Sequence, residues 1–195
     1  MKRFFLSGSQ RPTYALCTKI PGRDEKEAST LMSEPRSPLS PNNLLAASFE
    51  PEPVVACLSA APNREIAEAL RDRDCIQGAN NILICEALYL TGTSPWVPVS
   101  EVKVGKILDT LRLLAITNRD LALAATTGTR RAGLEFYVHA RAQENCRRCR
   151  GKIAAAMQGT KPNEHITYFC PTCQPGEHPP ILERAARRPA SKTSR

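Results

Sequence analysis

Apolar positions recur at helical spacing through the middle of the chain, and that pattern is lost toward both ends. From Asn43 the series Leu44, Leu45 and Phe49 is followed, after Pro53, by Val54, Val55 and Leu58, which predicts a short helix opened by a proline in its first turn. Ile66, Ala67 and Leu70 predict a second helix with Asn63 as its N-cap, closed by Asp72, Arg73 and Asp74. A turn over Ile76 to Asn81 leads into a third helix bearing Ile82, Ile84, Cys85, Leu88 and Tyr89, with Gly92 as its stop. Ser100 stands where it would cap a longer amphipathic helix carrying Val104, Ile107, Leu108, Leu111, Leu114 and Ala115. Glu101 and Arg112 lie at the ends of that helix that suit its dipole. Beyond Asn118 the period fades, and Phe136-Tyr137-Val138-His139 forms a short aromatic patch.

The 16 prolines crowd into the two ends, which predicts loose termini around a body running from about residue 43 to 175. Residues 1–42 show no helical or strand period, with Phe4 to Thr18 open to a short strand. The net charge of +8 is uneven: residues 1–100 hold 10 basic and 11 acidic side chains, whereas 101–195 hold 17 and 8. Such an excess in one half suits a polyanionic partner, because neutralised phosphates release counterions; a solvated basic face is the plainer explanation. No apolar run reaches the roughly 18 residues of a membrane span, so no membrane partner is expected. Met1-Lys2-Arg3 is followed by too short an apolar stretch for a secretory signal. A reducing, cytoplasmic location follows as the expectation, with the 8 cysteines as thiols or metal ligands and not disulfides.

Four of those cysteines are spaced for a metal. In Cys146-x2-Cys149-x20-Cys170-x2-Cys173 each pair turns two thiolates toward one ion, and four thiolates close a tetrahedral site. A closed all-sulfur site predicts one structural zinc ion at the base of a hairpin, contributing folding energy and no Lewis-acid chemistry. Cys17, Cys57, Cys75 and Cys85 have no such spacing and read as small core or surface residues.

The stretch Gly78-Ala79-Asn80-Asn81-Ile82-Leu83-Ile84-Cys85-Glu86-Ala87-Leu88 is followed in order by Gly92 with Pro95-Trp96, Thr126-Thr127-Gly128, Phe136 to Arg141, and Thr167-Tyr168-Phe169-Cys170-Pro171-Thr172-Cys173-Gln174. In this order the motifs resemble the C-terminal half of the formamidopyrimidine-DNA glycosylase / endonuclease VIII family, over about residues 43–174. The resemblance implies a mainly α fold: a helix-two-turn-helix DNA-binding domain over 43–142, a four-cysteine zinc-finger β-hairpin over 143–175, and a basic tail over 176–195, with disordered termini. It implies DNA as partner, duplex and damaged or abasic, and nucleoid association when bound.

Asn81, at the start of the third helix, is the implied uncharged phosphate donor. Glu86, one turn inside that helix, reads as structural. His165 stands where the family's finger carries an arginine, and lacks the guanidinium fork. Arg147, Arg148 and Lys152, with Arg150 and Lys161, are candidates to restore that charge. Asn80 replaces a glycine at a position expected to need positive φ.

The family's chemistry comes from an N-terminal domain whose terminal proline amine attacks the sugar, with a glutamate beside it. Here Met1 is followed by Lys2 and Arg3, so no catalytic residue is assigned. Three readings follow: a DNA-binding relative without glycosylase or lyase activity of its own, an active glycosylase/AP lyase using a nucleophile not identified here, and a zinc-ribbon protein-interaction module.

Overall fold

The computed structural model describes residues 39–121 and 124–182. The looseness expected of residues 1–38 and 183–195, and a strand in Phe4 to Thr18, fall outside the described residues. In chain order the elements are α1 (Pro51–Ser59), α2 (Ile66–Ala69), α3 (Asn81–Thr91), a 3-10 turn over Val99–Glu101, α4 (Val104–Asn118), and the strands β1 (Ala154–Gln158) and β2 (His165–Phe169). Among the described residues no helix is long and apolar enough to cross a membrane.

Helix α3 is the hub. Every position from Leu83 to Tyr89 is buried, Glu86 included, so this helix has no solvent face in its middle and carries packing on all sides. On one side lie α1, with Val54 and Leu58 one turn apart, and α4, whose buried stripe is the predicted Val104, Ile107, Leu108, Leu111, Leu114 and Ala115. On the other side Cys85 and Tyr89 pack against Val138, Ile153, Ala155, Tyr168 and Cys170 of the cysteine-rich segment. Burying one Leu or Ile side chain of this kind is worth about 1.5–3 kcal/mol, so no single one dominates.

The two strands pair antiparallel, from Ala154 opposite Phe169 to Gln158 opposite His165. Both faces of β1 are covered. Ala155 faces the Tyr89 cluster, while Ala154 and Ala156 meet Trp96 and Phe169, whose rings stand edge to face at 4.6 Å. Three successive alanines suit a strand with cover on each face. Past Gln174 the chain still packs: the Leu182 N–H donates to the Ala155 carbonyl at 2.8 Å, and His178 lies 5.1 Å from the Phe169 ring.

Several local expectations are corrected. Asn63 does not cap α2, which is a four-residue helix beginning at Ile66 with no side-chain cap. Its first N–H groups are taken by the connector instead, Ile66 donating to Val97 at 2.9 Å and Ala67 to Pro95 at 3.1 Å. Ser100 does not cap α4 either; it lies in the 3-10 turn, and α4 starts at Val104 after Lys103.

Asn80 needs no positive φ. It sits extended at φ −106° and caps α3, its side chain accepting from the Leu83 N–H at 2.9 Å. The left-handed residue of that turn is Gly78 at φ 84°. The expectation of no disulfides also fails: Cys57 on α1 and Cys75, before the α3 turn, are joined with Cα atoms 5.5 Å apart. That separation is ordinary for a disulfide, and only the packing of α1 against the turn brings together two residues 18 apart in sequence.

Candidate functional site

Two tight turns place the sulfurs. In the first, Cys146 donates its N–H to the Gly151 carbonyl at 2.7 Å and Arg150 takes the left-handed conformation at φ 68°. In the second, the Gln174 N–H donates to the Cys170 carbonyl, and the buried Gln174 amide accepts from Cys170 N–H at 3.0 Å and donates to the Thr93 carbonyl at 2.8 Å. Gln174 thus ties the second turn to the end of α3.

The Sγ atoms of Cys146, Cys149, Cys170 and Cys173 lie within 4.8 Å of one another, with Cys146 to Cys173 at 3.8 Å and Cys149 to Cys170 at 3.4 Å. A tetrahedral ion with metal–sulfur bonds of about 2.3 Å has sulfur–sulfur edges of about 3.8 Å. The four cysteines are therefore set to hold a metal ion, and an all-sulfur closed set leaves no position for a substrate.

Electrostatics point the same way. Burial, together with hydrogen bonds among the neighbouring sulfurs, pushes the Cys173 thiol up to about 12. Burial also opposes ionisation of Cys146, but the Tyr89 hydroxyl and the N–H groups of Cys149 and Arg148 draw it down to about 6. Four crowded thiols cannot all ionise without a cation between them, and a divalent ion supplies that charge. The Tyr89 hydroxyl lies 3.3 Å from the Cys146 sulfur, so α3 itself supplies a contact to the metal centre.

Glu86 anchors the segment leading into the cysteines. One carboxylate oxygen accepts from Val138 N–H at 2.8 Å and His139 N–H at 2.9 Å; the other accepts from Tyr137 N–H at 2.8 Å and from the Thr126 hydroxyl. With four donors on it and full burial, this carboxylate is a structural knot, as its position in the helix suggested.

At the opposite end of α3, its N-terminus and the turn end of the β-hairpin line a half-open cavity of about 720 Å³. Arg64, Arg71 and Arg73 line it from the chain before α3, Asn80 and Asn81 from the helix start, and Gln158 and His165 from the hairpin. Glu68 is the one carboxylate in the lining, and no lysine is present. Arg64 is paired with Asp72 at 2.7 Å.

The Asn81 amide is turned toward the hairpin, its oxygen accepting from Arg71 at 2.9 Å and its nitrogen donating to the Ile166 carbonyl at 2.9 Å. His165 is exposed; partial burial and the Arg71 charge both lower its pKa below the ordinary histidine value. Glu68 opposes that shift without reversing it, so His165 is harder to protonate than an ordinary histidine.

The other predicted basic residues lie elsewhere. Arg147 donates to the carbonyls of Gly133 and Phe136 at 3.0 and 3.3 Å. Arg148 stacks 4.6 Å over the Tyr89 ring, eight residues along α3 from Asn81, or about 12 Å of helix rise. Lys152 is exposed beside the first cysteine turn, where it bridges Asn145 through its backbone. The positive charge of the cavity comes instead from Arg64, Arg71 and Arg73. Of these the sequence reading noted only Arg73, as part of a helix end. The available sign was the Arg-Asp-Arg-Asp run directly ahead of the α3 turn.

A helical domain joined through its central helix to a four-cysteine hairpin defines the class of the protein. No protein-family model matches the chain. Among curated proteins it is 37% identical to the Probable endonuclease 8 2 of Streptomyces coelicolor over 150 residues, 75% of this chain and 54% of that protein. It is 38% identical to the Endonuclease 8 2 of Mycobacterium bovis over 133 residues, 68% of this chain and 51% of that protein.

The fold is shared with the crystal structure of the formamidopyrimidine-DNA glycosylase of Lactococcus lactis non-covalently bound to DNA containing an AP site. That likeness has a TM-score of 0.57 at 20% identity, over 69% of this chain and 50% of that one. The chain is a partial member of the formamidopyrimidine-DNA glycosylase / endonuclease VIII family. It spans about half the length of the curated relatives it matches.

Proposed function

We propose that the chain is a zinc-stapled DNA-binding protein of base excision repair, which grips the backbone of damaged or abasic duplex DNA where the start of α3 faces the hairpin. The observation that carries this reading is the cavity at that junction, lined by three arginines against a single carboxylate. The first turn of a helix leaves N–H groups without intrahelical partners and is suited to phosphate. Zinc on Cys146, Cys149, Cys170 and Cys173 would supply folding energy, holding the hairpin against α3 so that His165 and Gln158 face Asn80 and Asn81.

In this reading the cavity residues have a role in binding and none of them is assigned a role in cleavage; no lysine is among the described residues that line it. Arg147, Arg148 and Lys152 add long-range positive potential from the far end of α3.

The test is binding of the zinc-loaded chain to a duplex with a tetrahydrofuran abasic analogue and to the undamaged duplex, titrated with salt, plus borohydride trapping on a true abasic site. The expected result is binding that weakens with log–log slope of about −2 to −4, as for two to four neutralised phosphates, with no covalent adduct. Absence of binding at low salt refutes the DNA reading. A borohydride-trapped adduct refutes the assignment of a non-catalytic role.

A further inference from the structure

Arg71 is a half-buried cation with no anion in direct contact; the carboxylates of Glu65 and Glu68 act on it only from a distance. It makes no ion pair within 4 Å among the described residues, and its guanidinium donates only to neutral oxygens: Gln158 Oε1 at 3.0 Å, Asn81 Oδ1 at 2.9 Å and Thr167 Oγ1 at 2.8 Å. Its Nε is shut off from solvent with no partner.

Those acceptors are themselves fixed. Gln158 is buried and also holds Glu65 at 2.7 Å and the Pro95 carbonyl at 3.1 Å through its nitrogen, while the Thr167 hydroxyl donates back to Gln158 at 2.8 Å. A cradle of neutral oxygens orients a guanidinium without cancelling its charge. A carboxylate in the same place would cancel it. Burying a charge that no anion touches costs stability, and burial lowers the basicity of Arg71 from the ordinary guanidinium value even against the opposing pull of Glu68 and Glu65. An anion arriving in the cavity that Arg71 lines would repay that cost.

We propose that Arg71 is the residue that binds a DNA phosphodiester in this cavity, aimed by Gln158, Thr167 and Asn81. This rests on the DNA reading above. The other charges are less suited to the role: Arg64 is engaged by Asp72, Arg73 is exposed with no side-chain partner among the described residues, His165 is harder to protonate than an ordinary histidine, and Glu68 repels an anion. Asn81 in this arrangement is a positioning residue, since its oxygen holds Arg71 and its nitrogen holds Ile166.

The experiment compares wild type, Arg71→Gln, His165→Arg and the double variant for abasic-analogue duplex affinity across salt, with zinc content and thermal melting measured on each. Arg71→Gln is expected to raise Kd at least tenfold and to flatten the log–log salt slope by about 0.9, the loss of one phosphate contact. Adding His165→Arg to that variant puts a guanidinium on the opposite wall of the same cavity and is expected to recover most of both losses.

Wild-type Kd and slope in Arg71→Gln overturn the proposal, as does a loss that His165→Arg fails to recover, which would mark Arg71 as a clamp between α3 and the hairpin. If Arg71→Gln melts early, His165→Arg in the intact chain decides. It steepens the slope by about 0.9 in a cavity that holds a phosphate and leaves it unchanged in one that does not. Failure of wild type to bind any duplex refutes the DNA reading itself, and is told apart from failure of the Arg71 assignment by that wild-type titration alone.

Discussion

Replacing Glu86 with alanine removes the acceptor of three backbone N–H groups and one hydroxyl in a site that water does not reach. An orphaned buried donor costs about 1–3 kcal/mol. The carboxylate's own desolvation is relieved by the change, so the net loss falls near the 3–5 kcal/mol or so seen when one side of a buried charged network is deleted. Against a total stability of about 5–15 kcal/mol for a folded domain, this is a large fraction.

At roughly 2–4 °C per kcal/mol for a chain of this size, Glu86→Ala should melt about 6–20 °C below wild type in zinc-saturated buffer. Glu86→Gln keeps an oxygen for Val138 and His139 but turns an NH2 toward the Tyr137 N–H, so about a third to a half of that loss is expected. The assay is a circular-dichroism or calorimetric melt of each variant. A Glu86→Ala melting point within 2 °C or so of wild type would refute the idea that this carboxylate organises the segment entering the cysteine turns.

Tyr89→Phe removes the hydroxyl contact to Cys146 and should weaken zinc retention by about 10- to 100-fold in chelator competition, the usual scale for loss of a partner to a metal ligand; an unchanged chelation midpoint contradicts that contact. Leu108→Ala, at a fully buried position where α4 meets α3, should cost about 2–5 kcal/mol in denaturant melts without altering zinc content. Replacing Arg147 and Arg148 together with alanine should shift the salt slope less than Arg71→Gln does. Their side chains are spent on Gly133, Phe136 and Tyr89, so the larger effect should be on the melting point.

What could be read from the sequence was what local spacing encodes. The buried stripe of α4 and the stop of α3 at Gly92, which takes φ 71°, follow from apolar period and backbone chirality. The four cysteines follow from ligand spacing. Arg71 was not legible, because its acceptors Gln158 and Thr167 lie 87 and 96 residues away and no local rule pairs them. The missed caps have one cause: at Ile66 and Ala67 the helix start takes its hydrogen bonds from residues 95 and 97, a tertiary contact that makes Asn63 unnecessary. The Cys57–Cys75 link was missed because a reducing location was expected from the lack of a secretory signal, whereas the fold brings these two thiols to an ordinary disulfide separation.

The central claim is that zinc holds the hairpin against α3 and that the cavity between them binds DNA. Its most direct test is the affinity for abasic-analogue duplex at low salt, measured on the zinc-loaded chain, after chelation, and after zinc is restored. The account predicts one zinc per chain, loss of binding on chelation together with the cooperative melt, and recovery of both on adding zinc. Binding that persists unchanged without metal, or a zinc-loaded chain that binds no duplex at low salt, would contradict it.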